Sequence, residues 1–355
     1  MKQNTLNIYL WHTAAKGSTA KAKKLLDQGA DVNAIYEFGR YVLHEAVHSG
    51  SPDCVKLLLD AGAGVNVWDQ NNETPLCTAT HCGYADIAGL LIKAGANPNI
   101  YDMCGATPLH GAAKNDLAGS VRLLLASGAK PDPKTNDGTT PLIFAANNSP
   151  KCVSLLLEAG ADPNSTRSDR FTPLLAAARS GNAECIKLLI KAGAKVNMGS
   201  NYIDIPLIEA INSGSLKCVE LLLKAGADPG TKGTYKKRYT PLHTAAEQAR
   251  LKCIDLLFSF GADLNAIDGG GLTPLHWAAS SGRITSVRKL IVIGADVEIK
   301  NCSGHTALDI LKRKYPDRYQ KLSVELPYLL NAREIKRLRK EDVKAAAQTG
   351  YEFDI

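Results

Sequence analysis

Apolar and polar positions recur along this chain with a period of about 33 residues, and one copy shows the pattern clearly: Thr273–Asp296, TPLHWAASSGRITSVRKLIVIGAD. Thr273 suits an N-cap, and Pro274 falls at the first helical position, where a missing N–H costs nothing. The spacing predicts a short first helix over Leu275–Ser281, ended by Gly282. A second helix is predicted over Thr285–Ile293, with Val287, Leu290, Ile291 and Ile293 on one side. Gly294 closes it as a left-handed C-cap. Neither helix reaches the ~12–15 residues that an isolated helix needs in water. Such a unit is stable only against copies of itself.

The copies are present. The Gly-Ala that closes the second helix recurs from Gly29, Gly62, Gly95, Gly128, Gly160, Gly193, Gly226 and Gly261 to Gly294, at spacings of 33, 33, 33, 32, 33, 33, 35 and 33. Each has an apolar pair four and three residues earlier, from Leu25-Leu26 to Leu290-Ile291. Thr-Pro-Leu opens the helix pair at Thr74, Thr107, Thr140, Thr172, Thr240 and Thr273, with degenerate forms at Tyr41, Ile205 and Thr306. The pattern resembles the ankyrin-repeat family, with its 33-residue period and T-P-L-H-x-A signature. The resemblance runs from about residue 9 to 314. It implies an all-α ankyrin-repeat solenoid of about nine helix-pair repeats with hairpin connections and a C-terminal capping helix. An array of fixed period is one core that grows by stacking.

Along the chain, residues 1–8 read as a polar lead-in and Tyr9–Gly39 as the N-terminal repeat. Lys16, Lys21, Lys23 and Lys24 give that repeat the polar outer face of a cap. The copy from Thr140 lacks one residue near Asn147–Pro150, which should tighten its inter-helix loop. The connection after Gly226 gains two residues and carries Lys232, Lys236, Lys237 and Arg238, a basic insertion read as solvated. Thr306–Lys314 reads as a last amphipathic helix through Leu308 and Leu311. Residues 315–355 form a charged tail, irregular around Pro316 and Pro327 and helical over 332–347. Within it Lys336–Lys340 (KRLRK) resembles a short nuclear-import signal, and the final YEFDI reads as loose.

Charge narrows the partners. Forty-two basic against 35 acidic side chains leave +7, which suits contact with an acidic protein surface but falls short of a nucleic-acid-binding signature. No apolar run approaches the ~18 residues of a membrane span, and Met1–Thr5 lacks the apolar core of a signal peptide. Nine cysteines, an odd number, argue against a disulfide framework. Cys54, Cys152, Cys185, Cys218 and Cys253 all fall at the start of a second helix, where a small apolar side chain suits the interior. Reduced cysteines place the protein in the cytoplasm, with the nucleus as a second compartment.

Catalytic arrangements are lacking, so the chain reads as a non-enzyme without cofactor. Cys77, His81, Cys82 and Cys104 lack paired zinc-ligand spacing. Gly269-Gly270-Gly271 fills a hairpin tip, where positive φ is required, and Asp69, Asp102 and Asp268 are turn formers. Five histidines (His12, His44, His110, His243 and His276) are assigned to the fourth position of the signature. The resemblance gives that imidazole a structural role, bridging backbone groups of neighbouring turns.

Positions that vary between copies are free to face a partner. One variable row lies six residues beyond each repeated Gly and includes Ile35, Trp68, Tyr101, Lys134, Lys232 and Ile267. A second lies on the first helices: four residues past each start it includes Glu45, Gly111, Phe144 and Trp277, and seven past it includes His48, His81, Lys114 and Arg179. Similar ankyrin arrays bind proteins along the hairpin tips and the concave helix face. Trp68, Tyr101, His48, His81, Lys114, Phe144, Arg179 and Trp277 are therefore the candidate partner-binding residues. Aromatic rings beside cations are the composition of interface hot spots. The leading function is a scaffold or adaptor for a protein or peptide. The alternative is the recognition subunit of a cullin-type ubiquitin ligase, although no cysteine follows Cys302 to supply a SOCS-box helix. A ligand-regulated sensor is the third reading. Leu25–Asn33 resembles the motif modified by asparaginyl hydroxylases, with Asn33 as the acceptor.

Overall fold

A computed structural model describes residues 3–199, 205–233 and 238–349. Among the described residues it holds twenty α-helices and no strand beyond two isolated bridges, Ile35 with Tyr41 and Lys300 with Thr306. The helices come in consecutive antiparallel pairs. The chain divides into two compact units, Met1–Ala177 with Glu184–Lys195 and Ala178–Ala183 with Val196–Ile355.

In the first unit the regular pairs are Val42–His48 with Pro52–Asp60, Pro75–His81 with Ala85–Lys93, Pro108–Lys114 with Ala118–Ala126, and Pro141–Asn148 with Pro150–Glu158. Local chemistry sets their ends. Thr74 Oγ1 accepts from Cys77 N–H at 3.2 Å, with Pro75 next in the first turn. At the other end Gly62 takes φ 88°, and Ala63 N–H reaches back to Leu58 O at 2.9 Å. Each second helix turns one stripe inward: Cys54, Val55 and Leu58 are fully buried, as are Cys152, Val153 and Leu156. The thiols in this row are core side chains, and burial pushes Cys54 up to about 11. The residue missing near position 149 leaves Ser149 alone between two helices. It ends one and caps the next, accepting from Cys152 N–H at 3.1 Å.

Two sets of side-chain rungs join neighbouring repeats. His44 and His110 are buried and reach the carbonyls of Glu73 and Thr139, each 29 residues on, at 2.9 and 3.1 Å. Asn33, Asn66, Asn99 and Asn164 each donate to a Gly carbonyl of the next repeat, at 2.9–3.4 Å: 3.3, 3.4, 2.9 and 3.1 Å in turn. Each also accepts a backbone N–H there, at 2.8, 2.7, 3.0 and 2.8 Å.

The first repeat departs from expectation. Its opening helix runs Gln3–Ala15, so the residues read as a polar lead-in are helical, because Leu6, Leu10 and Ala14 form a buried stripe at a spacing of four. His12 does not bridge turns. Gly17 matches Gly50, which puts Trp11 in register with His44 and leaves His12 exposed, one position off. Trp11 fills the slot instead, its ring 4.7 Å from Tyr36.

The second unit contains Pro206–Ser213 with Leu216–Lys224, Pro241–Glu247 with Leu251–Ser259, and Pro274–Ser280 with Ile284–Ile293. The last pair lies within one residue of its expected bounds. His243 and His276 bridge to Leu272 O and His305 O at 2.9 and 3.1 Å, and Asn197 donates to Gly226 O at 3.1 Å. Ala307–Lys314 then packs on Pro274–Ser280, capped by Thr306, whose Oγ1 accepts from Asp309 N–H at 3.2 Å.

The tail is not irregular around its prolines. One helix spans Pro316–Thr349, with Pro316 at its first turn and Pro327 inside it. An internal proline costs about 3 kcal/mol. Tertiary contacts on the preceding turns offset that cost: Leu322 is 1% exposed, Arg318 Nη1 donates to Gly282 O at 2.6 Å, and Glu325 meets Arg288 through contacts of 2.7 and 2.8 Å. This stretch therefore caps the last repeat. Lys236, Lys237 and the final YEFDI lie outside the described residues, as do the side chains of Lys336–Lys340.

Candidate functional site

The connections between pairs in the first unit are hairpins ordered from within. Asp69 Oδ1 accepts the N–H groups of Asn71 and Glu73 at 2.8 and 3.0 Å, and Asp102 Oδ1 accepts those of Cys104 and Ala106 at 2.9 and 2.8 Å. Asp137 Oδ1 accepts from Thr139 N–H at 3.1 Å and from the hydroxyls of Thr135 and Thr139. Asp69 and Asp102 hold turns, as expected of acids at hairpin tips, and Asp137 does the same. Successive tips are tied side by side: Gln70 N–H to Phe38 O at 3.1 Å, Met103 N–H to Asn71 O at 3.0 Å, and Asn136 N–H to Cys104 O at 2.8 Å. The result is a row of fingers of fixed register.

Large apolar side chains stand on that row. Trp68 and Tyr101 are 63% and 64% exposed, so neither ring folds over its own hairpin to shield it. Ile35, Phe38 and Met103 are equally open. Phe38 and Met103 escaped the sequence reading because they lie three and two residues beyond the chosen row.

The first-helix rows divide. Seven residues past the start, His48 and Lys114 are exposed and His81 is half-buried. Four past, Glu45 and Thr78 are buried between helices, so that row is packing rather than open surface. Gly111 belongs to it by necessity: a Cβ there would lie 2.7 Å from both His81 Cδ2 and Thr80 Oγ1. The missing side chain leaves Phe144 half-buried at the edge of a cleft of about 440 Å³, lined by His81, Gly111, Lys114, Asn136, Asp137 and Phe144. Three of the expected site residues thus share one cleft. Phe144 meets His110 edge-on at 6.2 Å.

His81 is not a free cation. Its Nδ1 lies 3.1 Å from Glu73 Oε1, and that hydrogen bond, with the charges of His81 and His48, holds the Glu73 carboxyl below its usual range. Tyr101 opens instead onto a second cleft of about 460 Å³ with Met103, Lys130, Pro133, Lys134 and Asn136. Asn136 is common to both clefts, so one hairpin separates them. Trp68 and His48 line neither.

Arg179 and Trp277 belong to the second unit. Arg179 Nε pairs with Glu209 Oε2 at 3.0 Å. Trp277 is half-buried: its ring lies 5.0 Å from Tyr239 and 5.4 Å from His243, and its Nε1–H donates to Asp268 Oδ2 at 3.0 Å. Asn33 has its amide engaged on both sides by the next repeat. Among the described residues no group of three or more His, Cys, Asp or Glu is placed to hold a metal ion, and no helix is long and apolar enough to cross a membrane.

Stacked helix pairs joined by ordered hairpins, with histidine and asparagine rungs between copies, define a helical repeat protein. Models of ankyrin repeats match residues 10–102, 90–167 and 159–233 in three copies, and a second ankyrin-repeat model matches 242–291. The chain belongs to the ankyrin-repeat family, which supports a role in protein–protein interaction. Among curated proteins, none matches it.

Proposed function

We propose that this chain is a non-catalytic adaptor whose first unit recognises a protein or peptide along the hairpin tips and the adjoining ends of the first helices. The observation that carries the reading is the pair Trp68 and Tyr101. Both sit on tips that backbone hydrogen bonds hold in register, and both remain more than three-fifths exposed. Aromatic side chains cost solvation when left open, and rigidly presented rings with few rotatable bonds lose little entropy on binding. His48, His81, Lys114 and Phe144 extend the surface onto the first helices.

The test is affinity capture from cells with the full chain and with Trp68→Ala/Tyr101→Ala. Loss of captured partners at an unchanged melting temperature supports the reading. Undiminished capture overturns it. Asn33 remains a proposed hydroxylation acceptor; its engaged amide requires local opening before a hydroxylase can reach the β-carbon. A +16 Da shift on the Leu25–Asn33 peptide, from cells containing such an enzyme, would establish it.

A further inference from the structure

Equivalent positions of two repeats are filled differently, and the difference lies beside Phe144. Phe144 stands 34 residues beyond His110 and 38 beyond Ala106, and Trp277 stands at the same spacings from His243 and Tyr239. Both rings meet the preceding histidine edge-on, Phe144 at 6.2 Å and Trp277 at 5.4 Å. They diverge at the other partner. The Tyr239 ring lies 5.0 Å from Trp277, tilted by 44°, within the range of a favourable aromatic pair. Ala106 offers Phe144 only a methyl group. Gly111 likewise stands where the second unit has Thr244. The cleft of about 440 Å³ opens at this place, with Ala106, Gly111 and Phe144 in its lining.

Charge does not choose the occupant. Lys114 and Asp137 both line the cleft, and His81 faces Glu73. Hydrogen bonds from Thr135 and Thr139, with the Arg167 charge, hold the Asp137 carboxyl below its ordinary range, so it is ionised at neutral pH. Those bonds all fall on Oδ1, and Oδ2 takes part in none of them. A charged ligand of either sign is attracted by one of these groups and opposed by the other. A neutral group with a polar hydrogen escapes that conflict and finds an acceptor in the carboxylate, as Trp277 Nε1–H does at Asp268 Oδ2. We infer that the cleft is a binding site for one neutral aromatic ring with a polar hydrogen, a phenol or an indole, set against Phe144 as Tyr239 is set against Trp277. The volume lies at the small end of ligand sites, which suits a single ring. The ring comes on a free small molecule or on one side chain of a partner, and the site does not depend on the adaptor reading.

The test is NMR of the full chain with isotope-labelled alanine methyls, the Ala106 signal being assigned by Ala106→Gly. Para-cresol, methylindole and cyclohexanol are titrated in turn. The two aromatic probes should shift Ala106 saturably, with Kd on the order of 1 mM for fragments of this size, and cyclohexanol should not. Phe144→Ala should weaken both aromatic probes roughly 5-fold, the worth of one aromatic pair. Ala106→Tyr should recreate the arrangement of the second unit, melting no lower than wild type and losing saturation transfer to both probes. No shift at Ala106 with either ring, cyclohexanol binding as tightly as para-cresol, or ring binding that survives Ala106→Tyr overturns the inference. The adaptor reading is decided separately, by capture with Trp68→Ala/Tyr101→Ala. Where the rings bind, capture from cells with Ala106→Tyr tells the two sources apart, and both results support the site. Partners lost mark a side chain as the natural ring, and partners retained mark a small molecule.

Discussion

Asp132 Oδ2 accepts the backbone N–H of Asp162 at 2.6 Å, in the register where the repeats before and after it carry asparagine. Its other oxygen, Oδ1, is buried without a partner. At that place Asn99 and Asn164 present an amide N–H to a glycine carbonyl, which a carboxylate cannot do. Desolvation by burial raises the Asp132 carboxyl above its ordinary range.

Asp132→Asn should therefore stabilise the first unit by about 1 kcal/mol, the net value of one hydrogen bond added where a polar atom was orphaned. The sign with pH follows from the raised value. Between the unfolded and folded pKa the native state binds more protons, so stability falls as pH rises through that window. Denaturation at several pH values should show the gain from asparagine shrinking toward acid, where the protonated carboxyl can itself donate. A gain independent of pH would refute this account of the rung.

Ser120 and Ser286 stand in the row that the repeats with Cys54, Ile87, Cys152, Cys185, Cys218 and Cys253 fill with cysteine or isoleucine, and both hydroxyls are buried without partners. Ser120→Ala and Ser286→Ala should each stabilise by about 1 kcal/mol, since an unsatisfied buried hydroxyl carries a desolvation cost. The urea midpoint should rise with an unchanged m-value.

His110 accepts Thr107 N–H on Nδ1 at 3.0 Å and faces Thr139 O with Nε2 at 3.1 Å, which fixes the neutral tautomer with its proton on Nε2. Burial lowers its pKa to about 4. A depressed imidazole binds fewer protons folded than unfolded. Its stabilisation is complete above about 6.5, the unfolded value, and is lost as pH falls toward about 4. Within that window the slope approaches about 1.4 kcal/mol per pH unit. His110→Gln should flatten the acid limb of a stability–pH profile relative to wild type; identical limbs would contradict the assignment.

Leu322 is the most buried of the described side chains of the long C-terminal helix, at 1% exposed. Leu322→Ala should cost about 2–5 kcal/mol in the second unit, the usual range for a core leucine. A cost below about 1 kcal/mol would show that this helix does not cap the last repeat. Capture by the first unit should be unaffected.

The repeat was legible because its period, glycines and apolar pairs are local signals copied many times. Legibility failed where one copy stood alone. Leu6 and Leu10 sit among Asn4, Thr5 and Asn7, so a buried stripe looked polar, and Trp11 in the histidine slot shifted the assignment to His12. Pro316 and Pro327 suggested breaks, and only contacts through Arg318, Leu322 and Glu325 reveal a helix. Of the candidate site, Trp68, Tyr101 and Lys114 were readable as variable positions. The clefts were not, because their walls are brought together from side chains of different repeats. The contacts of Trp277 were not legible either: its partners Tyr239 and Asp268 lie at distances that no periodicity encodes.

The most direct measurement is site-specific photo-crosslinking in cells. A photoreactive amino acid would replace Trp68, Tyr101 or Lys114 on the hairpin and first-helix side, and Lys56 or Lys93 on the exposed second helices. Adducts with one common partner from the first three positions, and none from the other two, are expected. Adducts confined to Lys56 and Lys93 would place recognition on the second helices and contradict the account.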